Sequence, residues 1–315
     1  MKNLIITGMP RSATTFVSKI IYESGKFLKL EEPLAHKIPV EDHYPFYLTK
    51  NSGGRSYFEI FNDLFNYKLF FNYKPRKNGF KNKLLLGFGK SIFQYIKLYL
   101  AKEIFNSKKK ILVKEPHGSF MLPYFESLKN TKILVLIRYP AAFVNSMHSL
   151  EWKKYKDTPE SLLEQKILIE DYLNWLLELF KKKDLNNKEK TALLWRCVYQ
   201  FIDEYIGERN AGDIMIVRHE DISLKPVKYF KKIYSWMGMN LNLEIERKIE
   251  SLTSSSNTTR RTKKVAHQYK LKRNSKEVIN YWKENLTEKE IKQIIKITKP
   301  VVDKYYPDAD ELFRF

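Results

Sequence analysis

Four short apolar runs punctuate the chain: NLIIT (3–7), KILVK (110–114), KILVLI (132–137) and DIMIV (213–217). Uninterrupted apolar runs of this length suit strands covered by helices on both faces of a parallel sheet. Elsewhere the apolar period lengthens to that of a helix, at 14–22, 161–181, 192–206 and 226–237. Pro226 suits the first turn of the last of these, and Gly238 suits its stop. A polar stretch, TSSSNTTRRTKK at 253–264, predicts a mobile loop, and the residues from 275 to 305 predict two helices split near 286–287. Strand and helix alternate, no segment repeats, and no composition break marks a linker. The pattern predicts an α/β fold, a three-layer α/β/α sandwich on a central parallel sheet with extra C-terminal helices, formed by 1–315 as a single domain.

One region breaks the alternation. Residues 38–109 are aromatic and basic, and they are expected to form a helical insertion on the acceptor side of the molecule. Lys83, Lys90 and Lys97 are spaced by sevens, so on a helix they drift only ~20° per step and form one stripe. That stripe suits either an ordinary solvated face or a helix that meets an acidic partner molecule or an anionic membrane surface.

Charge sharpens the choice of partner. Lysine and arginine total 57 against 36 acids, a net charge of +21. An excess of this size favours anionic partners such as nucleotides, polyanionic glycans or lipid headgroups, beside the plain reading of a lysine-biased surface. No RNA-binding aromatic motif or zinc spacing supports nucleic acid. The single cysteine, Cys197, lies in an apolar-periodic run and reads as a buried structural thiol. The first strand begins at residue 3, and the longest weakly charged run, 84–101, contains Lys90 and Lys97. The expectation is a cytoplasmic protein.

The chemistry starts at the first strand. It runs into GMPRSATT, where Gly8 and Pro10 precede a hydroxyl cluster that opens a helix, the strand, loop and helix N-terminus arrangement that binds phosphate. A nucleotide-hydrolysing loop would carry Lys followed by Ser or Thr; here Ala13, Thr14 and Thr15 stand instead, and the cation is Arg11. Nothing in the run supplies the group that holds Mg²⁺, so the expectation is anion binding without a metal. Taken alone the loop is equally a tight turn. The second constellation is LVLIRYPAAFVNSMHSL (134–150), in which Arg138 ends a strand, Pro140 starts a helix, and Ser146 follows on that helix. A strand-end guanidinium and a helix hydroxyl can converge on a second phosphate, and two phosphate sites imply a bisphosphorylated nucleotide.

Together PRSATT and RYPAAFVNS resemble the two phosphate-binding motifs of sulfotransferases that use 3′-phosphoadenosine 5′-phosphosulfate. The resemblance implies that Arg11, Ser12, Ala13, Thr14 and Thr15 hold the 5′-phosphosulfate while Arg138 and Ser146 hold the 3′-phosphate. KFLKLEEPLAHK is similar to the Glu-Pro-Leu segment of carbohydrate sulfotransferases, and LVKEPHGSF to the Lys-Asp/Glu-Pro segment. IMIVRHEDISLKP looks like the Arg-Tyr-Glu-Asp-Leu strand and helix shared by carbohydrate and tyrosylprotein members. The chain departs by Ala13 in place of a common Gly, by Arg11 where cytosolic small-molecule members have Lys, and by Leu150 where some members have a further arginine.

The resemblance also assigns roles. Glu32, twenty-one residues after Arg11 as in tyrosylprotein members, is the expected general base, with Glu115 and His117 as rivals. Arg11 and Lys114 are expected to flank the leaving oxygen. Ser275, with Lys272 and Arg273, is expected to contact the donor, although that stretch also reads as a basic loop and a helix cap. Arg218, Glu220 and Asp221 are expected to brace the fold. The acceptor is a hydroxyl, with a glycan or glycolipid favoured over protein tyrosine or a small alcohol. A nucleoside or nucleotide kinase and a non-catalytic basic membrane or polyanion binder are the alternatives.

Overall fold

The computed structural model describes residues 1–32, 108–149, 158–163, 165–182, 184–207, 212–257 and 272–313. Five strands, β1 (Asn3–Thr7), β2 (Phe27–Glu31), β3 (Lys110–Lys114), β4 (Thr131–Ile137) and β5 (Ile214–Arg218), form one sheet in the order β2-β3-β1-β4-β5. Every pairing in it is parallel. From β1 the chain leaves towards β2, whereas from β4 it leaves towards β5. Neighbouring connections that part in this way open a crevice at the carboxyl ends of the strands, the usual ligand position of an open parallel sheet.

Odd and even strand residues separate into two cores. Ile5, Ile111, Val113, Ile133 and Val135 pack with residues of α2 (Pro140–His148), α3 (Asn187–Gly207) and α7 (Glu288–Tyr305). Leu4, Ile6, Leu112, Leu134 and Leu136 pack with α1 (Thr14–Tyr22), α5 (Pro226–Trp236) and α6 (Leu243–Thr253). Because side chains alternate between the two faces, a strand buried on both must be apolar throughout, as the runs are. A short helix, α4 (His219–Leu224), links β5 to α5.

The predicted punctuation is present. Pro140 and Pro226 occupy the first turns of α2 and α5. Gly238 (φ 72°) ends α5 in a double turn, with the Met239 N–H donating to Tyr234 O at 2.8 Å and the Gly238 N–H to Ser235 O at 2.9 Å. Thr287 and Glu290 form the capping box that starts α7, which places the expected split. Before it stand a helix, Ser275–Val278, and a 3₁₀ turn, Tyr281–Glu284, instead of one continuous helix.

Three expectations change. The fifth strand, β2, was not among the apolar runs, because FLKLE at the sheet's edge keeps only Phe27 and Leu30 fully buried. The helix expected over 161–181 is broken: Thr158–Leu162 ends in tight turns, and Lys166–Leu168 passes through a π-helical turn, Ile169–Leu173, into Asn174–Lys182. The wider turn keeps Leu168, Leu173 and Leu176 buried together across a five-residue step that 3.6 periodicity would rotate outwards. α3 starts five residues earlier than its apolar pattern. Asn186 Oδ1 accepts the Lys188 and Glu189 N–H groups, and Glu189 returns a bond to the Asn186 N–H. Most of 38–109, including the Lys83, Lys90 and Lys97 stripe, lies outside the described residues, as do Leu150 and 258–271. Among the described residues no helix is long and apolar enough to cross a membrane.

Candidate active site

The β1 loop is set by its contact with β4. A Cβ on Gly8 would lie 2.1 Å from Leu136 O, and Gly8 has φ 117°, so only glycine fits there. The buried Tyr199 hydroxyl of α3 then pins the turn. It accepts the Met9 N–H at 3.1 Å, donates to Leu136 O at 2.8 Å, and lies 3.3 Å from Ser12 Oγ. Arg11 (φ 73°) and Ala13 (φ 71°) follow in left-handed conformations, and α1 starts with no side chain capping it. Its first N–H groups and the positive end of its dipole are therefore presented to whatever fills the crevice.

On the β4 side of this loop lies the arginine pair. Arg11 Nε donates to Ser146 Oγ at 3.2 Å, and an Arg138 Nη1 donates to Arg11 O at 3.0 Å. The backbone carrying Arg138 is held from behind. Trp195 Nε1 donates to Arg138 O at 2.9 Å, and Glu220 accepts both the Tyr139 N–H at 3.0 Å and the Tyr306 hydroxyl at 2.9 Å. Arg138 is only 9% exposed, and its Nε has no hydrogen-bond partner. Burial pushes its guanidinium down to about 10; Glu220 opposes the shift, and the charges of Arg11 and Arg273 add to it. Such a cation is short of an anion, and a phosphate would supply both the missing charge and the missing acceptor.

On the β3 side stands a carboxylate and ammonium pair. Lys114, the last residue of β3, shares the α1 face of the sheet with Leu112. Its Nζ donates to Thr15 Oγ1 at 3.3 Å and forms an ion pair with Glu32. Glu32 follows β2 directly, donates its N–H to Lys114 O at 2.7 Å, and has φ 48°. A glutamate in that conformation is a strained residue, and such residues gather at functional sites.

A cavity of about 310 Å³ joins the two sides. Arg11, Ala13, Thr14, Thr15, Glu32, His117, Arg138, Ser146, Arg273 and Ser275 all line it, so ten sequence candidates come together from six separate stretches of the chain. Lys114 reaches it through Thr15 and Glu32. Three candidates stand elsewhere. Ser12 is buried, with its hydroxyl turned to Tyr199. Lys272 is exposed and outside the lining. Glu115 is fully buried away from the cavity, where it accepts the His117 N–H at 3.1 Å. Ser275 donates to Ser223 O at 2.6 Å, and Asn274 is the cap of its helix. Arg218 braces the fold as expected, forked onto Asp221 at 2.8 and 2.9 Å and tied to Asp308.

The sequence reading passed over Phe16, Asn145, Ser149, His219 and Tyr281, which also line the cavity. Asn145 on α2 and Ser149, the residue that caps it, lie one and three positions from Ser146, where helical spacing carried the signal. Tyr281 had none, since only folding brings the C-terminal segment over the sheet. Tyr199 and Trp195, four apart on α3, lie in the core and also anchor both loops.

A family model described as "Sulfotransferase domain" matches residues 1–306. Carbohydrate sulfotransferase 2 of Mus musculus and that of Homo sapiens are each 30% identical over 83 residues, 26% of this chain. The match spans 15% of the length of these relatives. Among solved structures, a sulfotransferase domain from the curacin biosynthetic pathway aligns over 94% of this chain and 96% of its own, at 12% identity and a TM-score of 0.49. A mouse sulfotransferase complexed with PAP aligns over 99% of this chain and 87% of its own, at 14% identity and a TM-score of 0.47.

Proposed function

This chain belongs to the sulfotransferase domain family, and from that premise we propose that it transfers a sulfuryl group from 3′-phosphoadenosine 5′-phosphosulfate to an acceptor hydroxyl. The observation that carries the proposal is the placing of cations on both sides of the β1 loop. Arg138 follows β4 and Lys114 ends β3, two strands apart, or about 10 Å at the usual strand spacing. Between them lies the open N-terminus of α1. Arg138, Ser146 and Arg273 suit one phosphate; Arg11, Thr14 and Thr15 suit the phosphosulfate.

In this reading Glu32 takes the proton of the acceptor hydroxyl as its oxygen bonds to sulfur. The bond from sulfur to the 5′-phosphate oxygen breaks, and Lys114 and Arg11 meet the charge that builds on that oxygen. His117 borders the same space and is the rival base; Glu115, turned away and committed to the turn at His117, is the weaker one. The acceptor we propose is a glycan or glycolipid hydroxyl, supported by the 83-residue likeness to carbohydrate sulfotransferase 2.

Calorimetry tests the donor. Adenosine 3′,5′-bisphosphate in EDTA is expected to bind more tightly than ATP with Mg²⁺, and the reverse order overturns the reading in favour of a kinase. Labelled donor offered to oligosaccharide, glycolipid, tyrosyl-peptide and simple alcohol acceptors then tests the acceptor. Transfer to the last two alone overturns that part.

A further inference from the structure

The open face of α7 carries charge of one sign in an arrangement that a helix disfavours. Lys289, Lys292, Lys296 and Lys299 are all exposed, and at 3.6 residues per turn they fall within an arc of about 80°, in a row about 15 Å long. Each stands three or four residues from the next, so the row holds three like-charge contacts that weaken the helix. Acids relieve two of the four: Glu288 lies 4.0 Å from Lys292, and Asp303 lies 2.8 Å from Lys299. Among the described residues Lys289 and Lys296 form no ion pair, and the helix places no acid three or four residues from either. The other lysine-rich helix differs. Lys225, Lys228, Lys231 and Lys232 cap and line α5, where Lys231 pairs with Glu246 of the neighbouring α6 at 2.9 Å.

Contacts with α3 fix the place of the row in the fold. Lys188 Nζ donates to Glu290 at 2.6 Å, Arg196 to Ile297 O at 3.3 Å, and the Tyr305 hydroxyl to Asp203 at 2.8 Å, so α3 and α7 run side by side in the same direction. Trp195 of α3 bonds Arg138 O at the carboxyl end of β4. Lys289 therefore stands at the level of the crevice, and Lys299 lies on the flank below it. Tyr281, on the turn that leads into α7, borders the cavity, while none of the four lysines does.

We propose that this face of α7 is a docking surface for a linear polyanionic glycan, one that carries sulfate or carboxylate groups along its length and is held outside the reaction cavity. The surface stands on its own geometry; the choice of a glycan among polyanions rests on the acceptor reading above. Anions seated between the lysines replace three repulsions with attractions. Lysine ammonium groups rotate freely and make no planar fork, so they accept sulfate and carboxylate in many orientations. Apart from Pro300, every exposed residue of α7 is charged. There is nothing on which a base could stack, as single-stranded nucleic acid needs, and no apolar stripe to enter a bilayer. A single row on a convex helix also meets a narrow chain along its whole length, but a flat membrane only along one line.

The experiment titrates the full chain into a fluorescently labelled heparin dodecasaccharide at low and at physiological salt. Lys→Gln at positions 289, 292, 296 and 299 together keeps good helix formers and should weaken binding by roughly ten- to a hundredfold at low salt, since each exposed ion pair contributes a factor of about 1.4–5. Lys→Arg at the same four positions should keep the affinity. Lys→Gln at 225, 228, 231 and 232 removes equal charge and is the control, with an expected loss of about threefold at most. Equal loss in the two Gln variants, loss in the Arg variant, or no binding of heparin by the unmodified protein overturns the surface. Phosphatidylserine vesicles and an oligothymidylate are offered beside the glycan, and tighter binding of either through these four lysines overturns the choice of partner. Adenosine 3′,5′-bisphosphate should bind all four proteins alike. Its failure to bind any of them overturns the donor reading and leaves this surface standing.

Discussion

The two sides of the β1 loop carry the same kind of group and hold it in opposite ways. On the β4 side, the backbone of Arg138 is fixed by Trp195 and, one residue on, by Glu220, which is itself anchored to Tyr306. These partners are buried and reach Arg138 through its backbone, so the guanidinium's charge is left for a ligand. On the β3 side, Lys114 and Glu32 satisfy each other at the sheet's edge, where Glu32 is held at φ 48°. One side is a platform built before any ligand arrives. The other is a pair whose bond, in the reaction proposed, is exchanged for contacts with donor and acceptor before either group acts. Binding and chemistry should therefore separate by mutation along this line.

The largest effect is expected on the β3 side. Glu32→Gln keeps the shape and removes the proton acceptor, so turnover should fall ~10²–10⁴-fold with little change in bisphosphate affinity. Glu31→Gln, one residue earlier and pointing to Lys29, is the control and should do little. A Glu32→Gln enzyme with near-normal turnover beside an inactive His117→Asn would move the base to His117 and erase the comparison as drawn.

The next effect belongs to the β4 side and should show in binding. On the proposed placement of the 3′-phosphate, Arg138→Ala removes a buried charged contact, and the bisphosphate should weaken by roughly 1.5–3 kcal/mol, about 10–150-fold. Adenosine 5′-phosphate, which lacks the 3′-phosphate, should lose much less. Equal loss for both nucleotides would mean that Arg138 does not face the 3′ end.

How legible each side was follows from the same contrast. Arg138, Pro140 and Ser146 lie within nine residues on one strand and its helix, so a local pattern carried them, as it carried Gly8, Arg11 and the start of α1. Glu32 was found by spacing and by resemblance, but the strand that delivers it, β2, was not read. An edge strand of five residues, with Lys29 and Glu31 in it, has too little apolar content to declare itself. His219 and Tyr281 were invisible as site residues because their positions depend on how β5 and the C-terminal segment close over the crevice. The three central strands, β3, β1 and β4, were legible because burial on both faces leaves little choice of residue; β5, at the other edge, showed itself by its apolar run although only Val217 in it is fully buried. The break after Leu162 in the predicted long helix was not legible, since tight turns can interrupt a continuous apolar period without changing composition.

The smallest prediction tests the loop between the two sides. Ala13 is held at φ 71°, a conformation that costs a residue with a Cβ about 1–2 kcal/mol relative to glycine, while glycine loses more entropy on folding. The first effect is the larger, so Ala13→Gly should stabilise the protein by roughly 0.5–1 kcal/mol, a rise on the order of 1–2 °C in Tm. Bisphosphate affinity should change little, because the Gly8 contact with Leu136 and the Tyr199 bonds hold the turn on either side of Arg11. Gly8→Ala provides the contrast, since its Cβ has no room beside Leu136 O and the loop would have to move. If Ala13→Gly instead lowers Tm, the left-handed start of α1 is not part of the folded state. The open N-terminus on which the phosphosulfate site depends would then have to be sought in a different loop conformation.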